Sequence, residues 1–167
     1  EQMLYPDLRG KAKIVYEFDA TDMASGFMFP AMAREFRRGG IQFAAIFSYD
    51  MLRTAPMNLG WQTHFFNMVF TPSKAVSSMI AAEVMRRIPR GKHFGYYPDN
   101  RTFDDFRVSY DEQLSELNSG DMFYYSNTTS TRPKNLAALK HIAGVGSSPV
   151  VRYSGTGIYF LDKQDDN

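Results

Sequence analysis

Two short apolar runs separated by a helix-patterned segment constrain this chain more than any other feature. Lys11–Phe18 (KAKIVYEF) and Ile41–Ser48 (IQFAAIFS) are rich in β-favouring residues and read as buried strands. Between them, a helix is expected from about Pro30 to Arg38. Pro30 suits a first turn, Arg37 and Arg38 complement the carbonyl end, and Gly39-Gly40 suits the stop. A second helix begins after Thr71 as N-cap and Pro72 as first residue. Val76, Met79, Ile80, Val84 and Ile88 recur along it at spacings of three and four, and Pro89 ends it. Strand, helix, strand, helix with buried strands is the pattern of a parallel sheet joined by right-handed crossovers. Two such strands leave edges open, so neighbouring strands are expected on one or both sides.

The pattern changes after about residue 92. Short β-favouring runs follow at Phe106–Tyr110, Met122–Ser126, Val150–Tyr153 and Ile158–Leu161, with a helical insertion expected at Asn135–Ile142. Gly155-Thr156-Gly157 reads as a hairpin turn. The expected fold class is therefore α/β followed by all-β. Residues 1–91 form a partial (β/α) barrel segment of two β/α units, and residues 92–167 a small, mostly antiparallel β-rich domain.

Composition narrows the function classes. The chain has 167 residues, 44 % of them hydrophobic, enough to bury a core. No apolar run approaches the ~20 residues that span a bilayer, so no membrane span is expected. Lys plus Arg number 19 and Asp plus Glu 18, and a net charge of +1 gives no global field for nucleic acid. Cysteine is absent, which excludes thiol catalysis and Cys-based zinc sites. His64, His93 and His141 make no i, i+4 pair, so local spacing implies no metal site, a long-range one with Asp19, Asp22 or Asp50 staying open, and no cofactor is implied. The opening Glu1-Gln2-Met3 and the closing Asp165-Asp166-Asn167 suggest a piece of a larger protein.

The polar groups gather at strand ends. Glu17 and Asp19 stand at the carboxyl end of the first run, Tyr49 and Asp50 at that of the second. In α/β barrels the chemistry lies at that face. Regular alternation puts Val15 and Glu17 on one side, Tyr16 and Phe18 on the other. If helices cover the Tyr16/Phe18 side, Glu17 points to a barrel axis, where a carboxylate is costly unless paired or used. A Glu at a strand end serves equally well as a structural acid bonded to Arg or backbone N–H groups.

Lys13–Asp22 (KIVYEFDATD), Phe43–Leu52 (FAAIFSYDML) and Thr71–Arg90 (TPSKAVSSMIAAEVMRRIPR) resemble the last two β/α units of a clan A-type TIM-barrel glycoside hydrolase. The likeness is nearest to the large secreted glycosidase-like proteins of Bacteroidetes. Phe103–Tyr110, Phe123–Thr129 and Val150–Asp162 resemble the β-rich domain that follows the barrel there. The resemblance implies a retaining mechanism with Glu17 as the catalytic nucleophile. It also implies Trp61 as a sugar-stacking aromatic, and Asp19, Tyr49, Asp50 and His64 as substrate-binding residues. Its acid/base residue would lie on an earlier barrel strand, so the isolated chain is expected to be inactive. The implied substrate is a polysaccharide or oligosaccharide, and the implied location periplasmic, secreted or attached to the cell envelope. Self-association, or association with the rest of the barrel, is expected to cover the open strands.

Two other readings stand beside this one. The chain fits a non-catalytic carbohydrate-binding or interaction module, with Tyr96, Tyr97, Tyr124 and Tyr125 as a glycan platform. It also fits a pseudo-enzyme whose barrel persists as a scaffold. The basic clusters Arg34, Arg37, Arg38 and Arg86, Arg87, Arg90, Lys92 read as solvated cations at two helix ends.

Overall fold

The computed structural model describes residues 4–20, 25–57 and 66–164. Trp61 and His64 lie outside the described residues. Those residues form a mixed α/β structure with two α-helices and two sheets, and no closed barrel forms among them.

Strand β1 (Ile14–Phe18) leads into helix α1 (Phe29–Arg38) and returns as strand β2 (Phe43–Ile46). The two strands pair in parallel, as their order predicts. They are shorter than the apolar runs and are not buried. Ile14, Tyr16 and Phe43 are 63 %, 78 % and 61 % exposed. The reason is one-sided cover: the helices take one face, and no further strand flanks the pair among the described residues. Between Val15 and Phe18 the register slips, with one extra residue on β1. Such a bulge breaks alternation. Phe18 therefore turns to the helices, edge-on to Phe29 and Phe36, while Tyr16 and Glu17 both face outward. The expected sharing of one face by Tyr16 and Phe18 does not hold.

Helix α2 (Pro72–Arg87) starts at the expected proline and stops before Pro89. Ile88 is extended (φ −78°, ψ 122°), the conformation a following proline favours. Thr71 sits at the N-cap without capping. Its hydroxyl donates to the Asn67 carbonyl and accepts from the Asn67 N–H, both at 2.9 Å. The helix packs on α1 and also on the second sheet.

That sheet contains β3 (Thr102–Phe103), β4 (Phe106–Ser109), β5 (Leu114–Asn118), β6 (Met122–Tyr125), β7 (His141–Val145) and β8 (Ile158–Asp162), in that spatial order. All neighbours are antiparallel except β6 and β7. Cross-strand partners share a face, so Phe106, Leu117, Tyr124 and Ala143 form one row, toward α2. Glu116, Tyr125, Gly144 and Tyr159 form the neighbouring row on the other face. There Leu114, Phe123 and Tyr125 make a second core with Leu139, Val150 and Tyr159. Gly144 is required: a Cβ at that position would sit 2.6 Å from the Tyr125 ring.

The helix expected at Asn135–Ile142 is absent. Asn135 Oδ1 accepts the Ala138 N–H in a local turn, and from His141 the chain is claimed by the β7 ladders. Val150–Tyr153 is likewise not a strand. It crosses the outer face as a loop, held by Ser147 and Ser148 through the Tyr153 carbonyl and the Val151 N–H. The Arg34–Arg38 cluster is not a solvated one. Arg34 is 1 % exposed, donates to the Asn100 carbonyl at 2.8 Å and lies over the Phe103 ring. Burial lowers its pKa, an effect Glu35 partly offsets. Arg37 donates to the Ile88 and Ile41 carbonyls at 2.7 and 3.0 Å.

Tyr159 donates its hydroxyl to the Gly146 carbonyl at 2.7 Å and meets the Tyr125 hydroxyl. Burial first, and the Tyr125 hydrogen bond second, push its pKa far above the usual tyrosine value. A group whose folded pKa is raised lends stability that is complete below its unfolded pKa, about 10, and lost as pH rises toward the folded one. Urea midpoints measured from about pH 8 to 11 should therefore fall less steeply for Tyr159→Phe than for the parent chain. Equal slopes would contradict this assignment.

Candidate functional site

Parallel pairing brings the carboxyl ends of β1 and β2 side by side. The Phe47 N–H donates to the Phe18 carbonyl at 3.0 Å, so the chain segments after both strands leave the sheet together. Glu17, Asp19, Tyr49 and Asp50 therefore gather at one end of the strand pair, as the sequence order implies. Their environments differ sharply.

Glu17 is exposed, in the bulged part of β1. Among the described residues, no ion pair or side-chain hydrogen bond ties it to the fold. Tyr49 is 52 % exposed and meets the Phe66 ring edge-on at 5.4 Å. The two residues also form a parallel bridge.

Asp19 and Asp50 are committed to the scaffold. Asp19 Oδ1 lies 2.8 Å from Lys74 Nζ and accepts the Ala20 N–H at 2.8 Å. Lys74 is fully buried in the first turn of α2, its ammonium 5.7 Å from the Phe29 ring centroid. Asp50 is 7 % exposed and clamps the incoming segment. Its N–H donates to the Phe66 carbonyl at 2.7 Å, its Oδ2 accepts the Phe66 N–H, and its carbonyl accepts from Asn67 Nδ2. Asn67 Oδ1 in turn accepts the Val69 and Phe70 N–H groups and shapes the turn into α2.

Lys74 and Asn67 escaped the sequence reading, though both leave a trace. Lys74, Ser77, Ala81, Val84 and Ile88 form a second stripe at spacings of three and four, all buried. A lysine on an otherwise buried stripe needs a carboxylate, and Asp19 is the acid that the strand order delivers. Asn67 precedes Thr71-Pro72 by one turn's length, a signal for a side chain folded back on its own backbone.

The tyrosine platform of the binding-module reading does not assemble. Tyr125 is fully buried, Tyr124 packs on the opposite face of the sheet, and Tyr97 packs against the main core. Of the four, Tyr96 alone is exposed (58 %), and Arg38 covers its ring.

The buried pair gives a stability prediction. Asp19→Ala removes the carboxylate from a fully buried ammonium and should cost about 3–5 kcal/mol. Asp19→Leu combined with Lys74→Met should recover most of that loss in urea unfolding. A single substitution costing under about 1 kcal/mol would mean that the pair is solvated and weak. No protein-family model, curated protein or solved structure matches this chain.

Proposed function

We propose that this chain is the carboxyl-terminal portion of a retaining glycoside hydrolase of the α/β-barrel kind, acting on a polysaccharide or oligosaccharide. Glu17 is the nucleophile in this reading. One observation supports it most. Among the described residues, Glu17 is the acid at the carboxyl end of the strand pair that the scaffold leaves without a partner, while Asp19 and Asp50 are engaged. The open face of the pair agrees with it. Ile14, Tyr16 and Phe43 occupy positions that side chains of further strands would cover in a packed barrel interior.

The chemistry follows from that placement. A retaining glycosidase needs an ionised carboxylate and a protonated one about 5–5.5 Å apart. Glu17 attacks the anomeric carbon as the second carboxyl group protonates the leaving oxygen. Water then attacks the glycosyl ester, activated by the same second group, and releases Glu17. Tyr49 lines the rim beside this centre, and Asp50 holds Tyr49 and Phe66 in place. Asp19 acts through Lys74 to fix the strand end rather than on the sugar. The acid/base group belongs to a strand outside this chain, which makes the isolated chain inactive. The whole protein would meet its substrate in the periplasm, in the cell envelope or outside the cell.

In the whole protein that carries this chain, Glu17→Gln should lower aryl glycoside turnover by about 10³-fold or more without changing the thermal midpoint. Gln matches Glu in size and shape, so folding is not at stake. Azide added to Glu17→Ala should restore turnover and release a glycosyl azide of inverted configuration. Unchanged turnover in Glu17→Gln would contradict the assignment.

A further inference from the structure

The opposite end of the strand pair holds an open cleft of about 460 Å³. Lys11 and Lys13 line it just before β1, Arg9 from the preceding turn, and Arg90 just after α2. Among the described residues that line it, none is acidic. We propose that this cleft binds a small ligand carrying two or more phosphate, sulfate or carboxylate groups.

Four cations in one cleft form a concentrated field in a chain whose net charge is only +1. They come from two stretches of sequence far apart in the chain, residues 9–13 and Arg90, so a single helix end does not explain them. Lys13 is held in place, donating to the Gly39 carbonyl at 3.1 Å. Arg9, Lys11 and Arg90 have no carboxylate partner among the described residues. The other members of the second basic cluster are engaged elsewhere. Arg86 and Arg87 pair with Glu83, and Lys92 lies over the Phe94 ring. Arg90 also stands near a further cation. After burial, its charge is the next cause that lowers the pKa of Arg37. Like charges so placed repel one another, and a multivalent anion relieves each of them at once.

Size and backbone agree with that ligand class. The volume falls within the range of small-molecule sites and exceeds what one inorganic sulfate fills. Gly10 and Gly91 line the cleft in the left-handed region, with nothing within 4 Å of where a Cβ would stand. The backbone is therefore open to a ligand at both points. Guanidinium and ammonium groups together suit oxyanions: Arg forks across two oxygens and Lys acts as a point charge. The site lies at the amino-terminal end of β1 and β2, away from Glu17, and does not depend on the glycosidase reading.

Calorimetric titration of this chain with tripolyphosphate and, separately, with sucrose octasulfate tests the site. At least one probe should bind at about 50 mM salt and weaken about tenfold or more near 200 mM. Lys11→Gln with Arg90→Gln should weaken it by about tenfold, whereas Arg86→Gln, outside the cleft, should not. Glu17→Gln should leave binding unchanged, which separates this site from the one proposed above. Failure of both probes to bind at low salt would overturn the proposal, as would full binding by the Lys11→Gln, Arg90→Gln variant.

Discussion

Helix α2 is shared by two layers, and the rest of the structure is arranged around its polar contacts. Its buried faces are not uniformly apolar. Lys74 reaches Asp19 at the end of β1, at 2.8 Å. One turn on, Ser77 donates to the Gly26 carbonyl at 2.6 Å and accepts from Ser115 of β5 at 2.9 Å. Gly26 has φ +54°, and a Cβ there would meet Lys74 Cγ at 2.7 Å, so the loop before α1 closes on the helix because it carries a glycine at that point. Lys74 and Ser77 are thus answered from different layers. Buried groups of this kind are expensive when left unmatched, which selects one placement of α2 among many that would satisfy apolar packing alone. The larger of the two cores follows, running from Phe29 and Ala33 of α1 through Val76, Ile80 and Val84 to Phe106 and Leu117 of the sheet.

How much of this was readable depended on whether the signal was local. Both helices announce themselves through prolines, terminal arginines and spacing, and the structure places them within a residue or so. The parallel pairing of β1 and β2 follows from the helix between them. Strand β5 (LSELN) carries no β-branched residue. It is held by ladders on both edges and by burial of Leu114, Ser115, Glu116 and Leu117, none of which local propensity reports. The helix expected at Asn135–Ile142 ran two residues into β7, because the ladders that claim His141 and Ile142 come from β6 and β8, far away in sequence. The carboxylate-bearing strand end was legible too. The bulge that turns both Tyr16 and Glu17 outward was not, because register depends on the neighbouring strand.

The two ends of the β1–β2 pair differ in charge and in engagement. At the carboxyl end, two acids serve the scaffold and Glu17 does not. At the amino end, the cations of the cleft converge with no acid among the described lining residues. The inner strands β4–β7 of the six-stranded sheet, by contrast, are largely taken up by packing. Glu116, 1 % exposed, binds Arg107 at 2.9 Å and the Thr129 and Thr131 hydroxyls, and so fixes the loop after β6. Glu17 and the cations of the cleft thus lie at the two ends of the strand pair, while the sheet and α2 supply rigidity.

The central claim is that Glu17 is the carboxylate that forms the covalent glycosyl ester. Its most direct test is to incubate the whole protein with a panel of 2-deoxy-2-fluoro glycosides and locate the trapped sugar by peptide mass spectrometry. The account predicts a single label on the peptide containing Tyr16, Glu17 and Phe18. A stable label on a different carboxylate, with Glu17 unmodified, would contradict it.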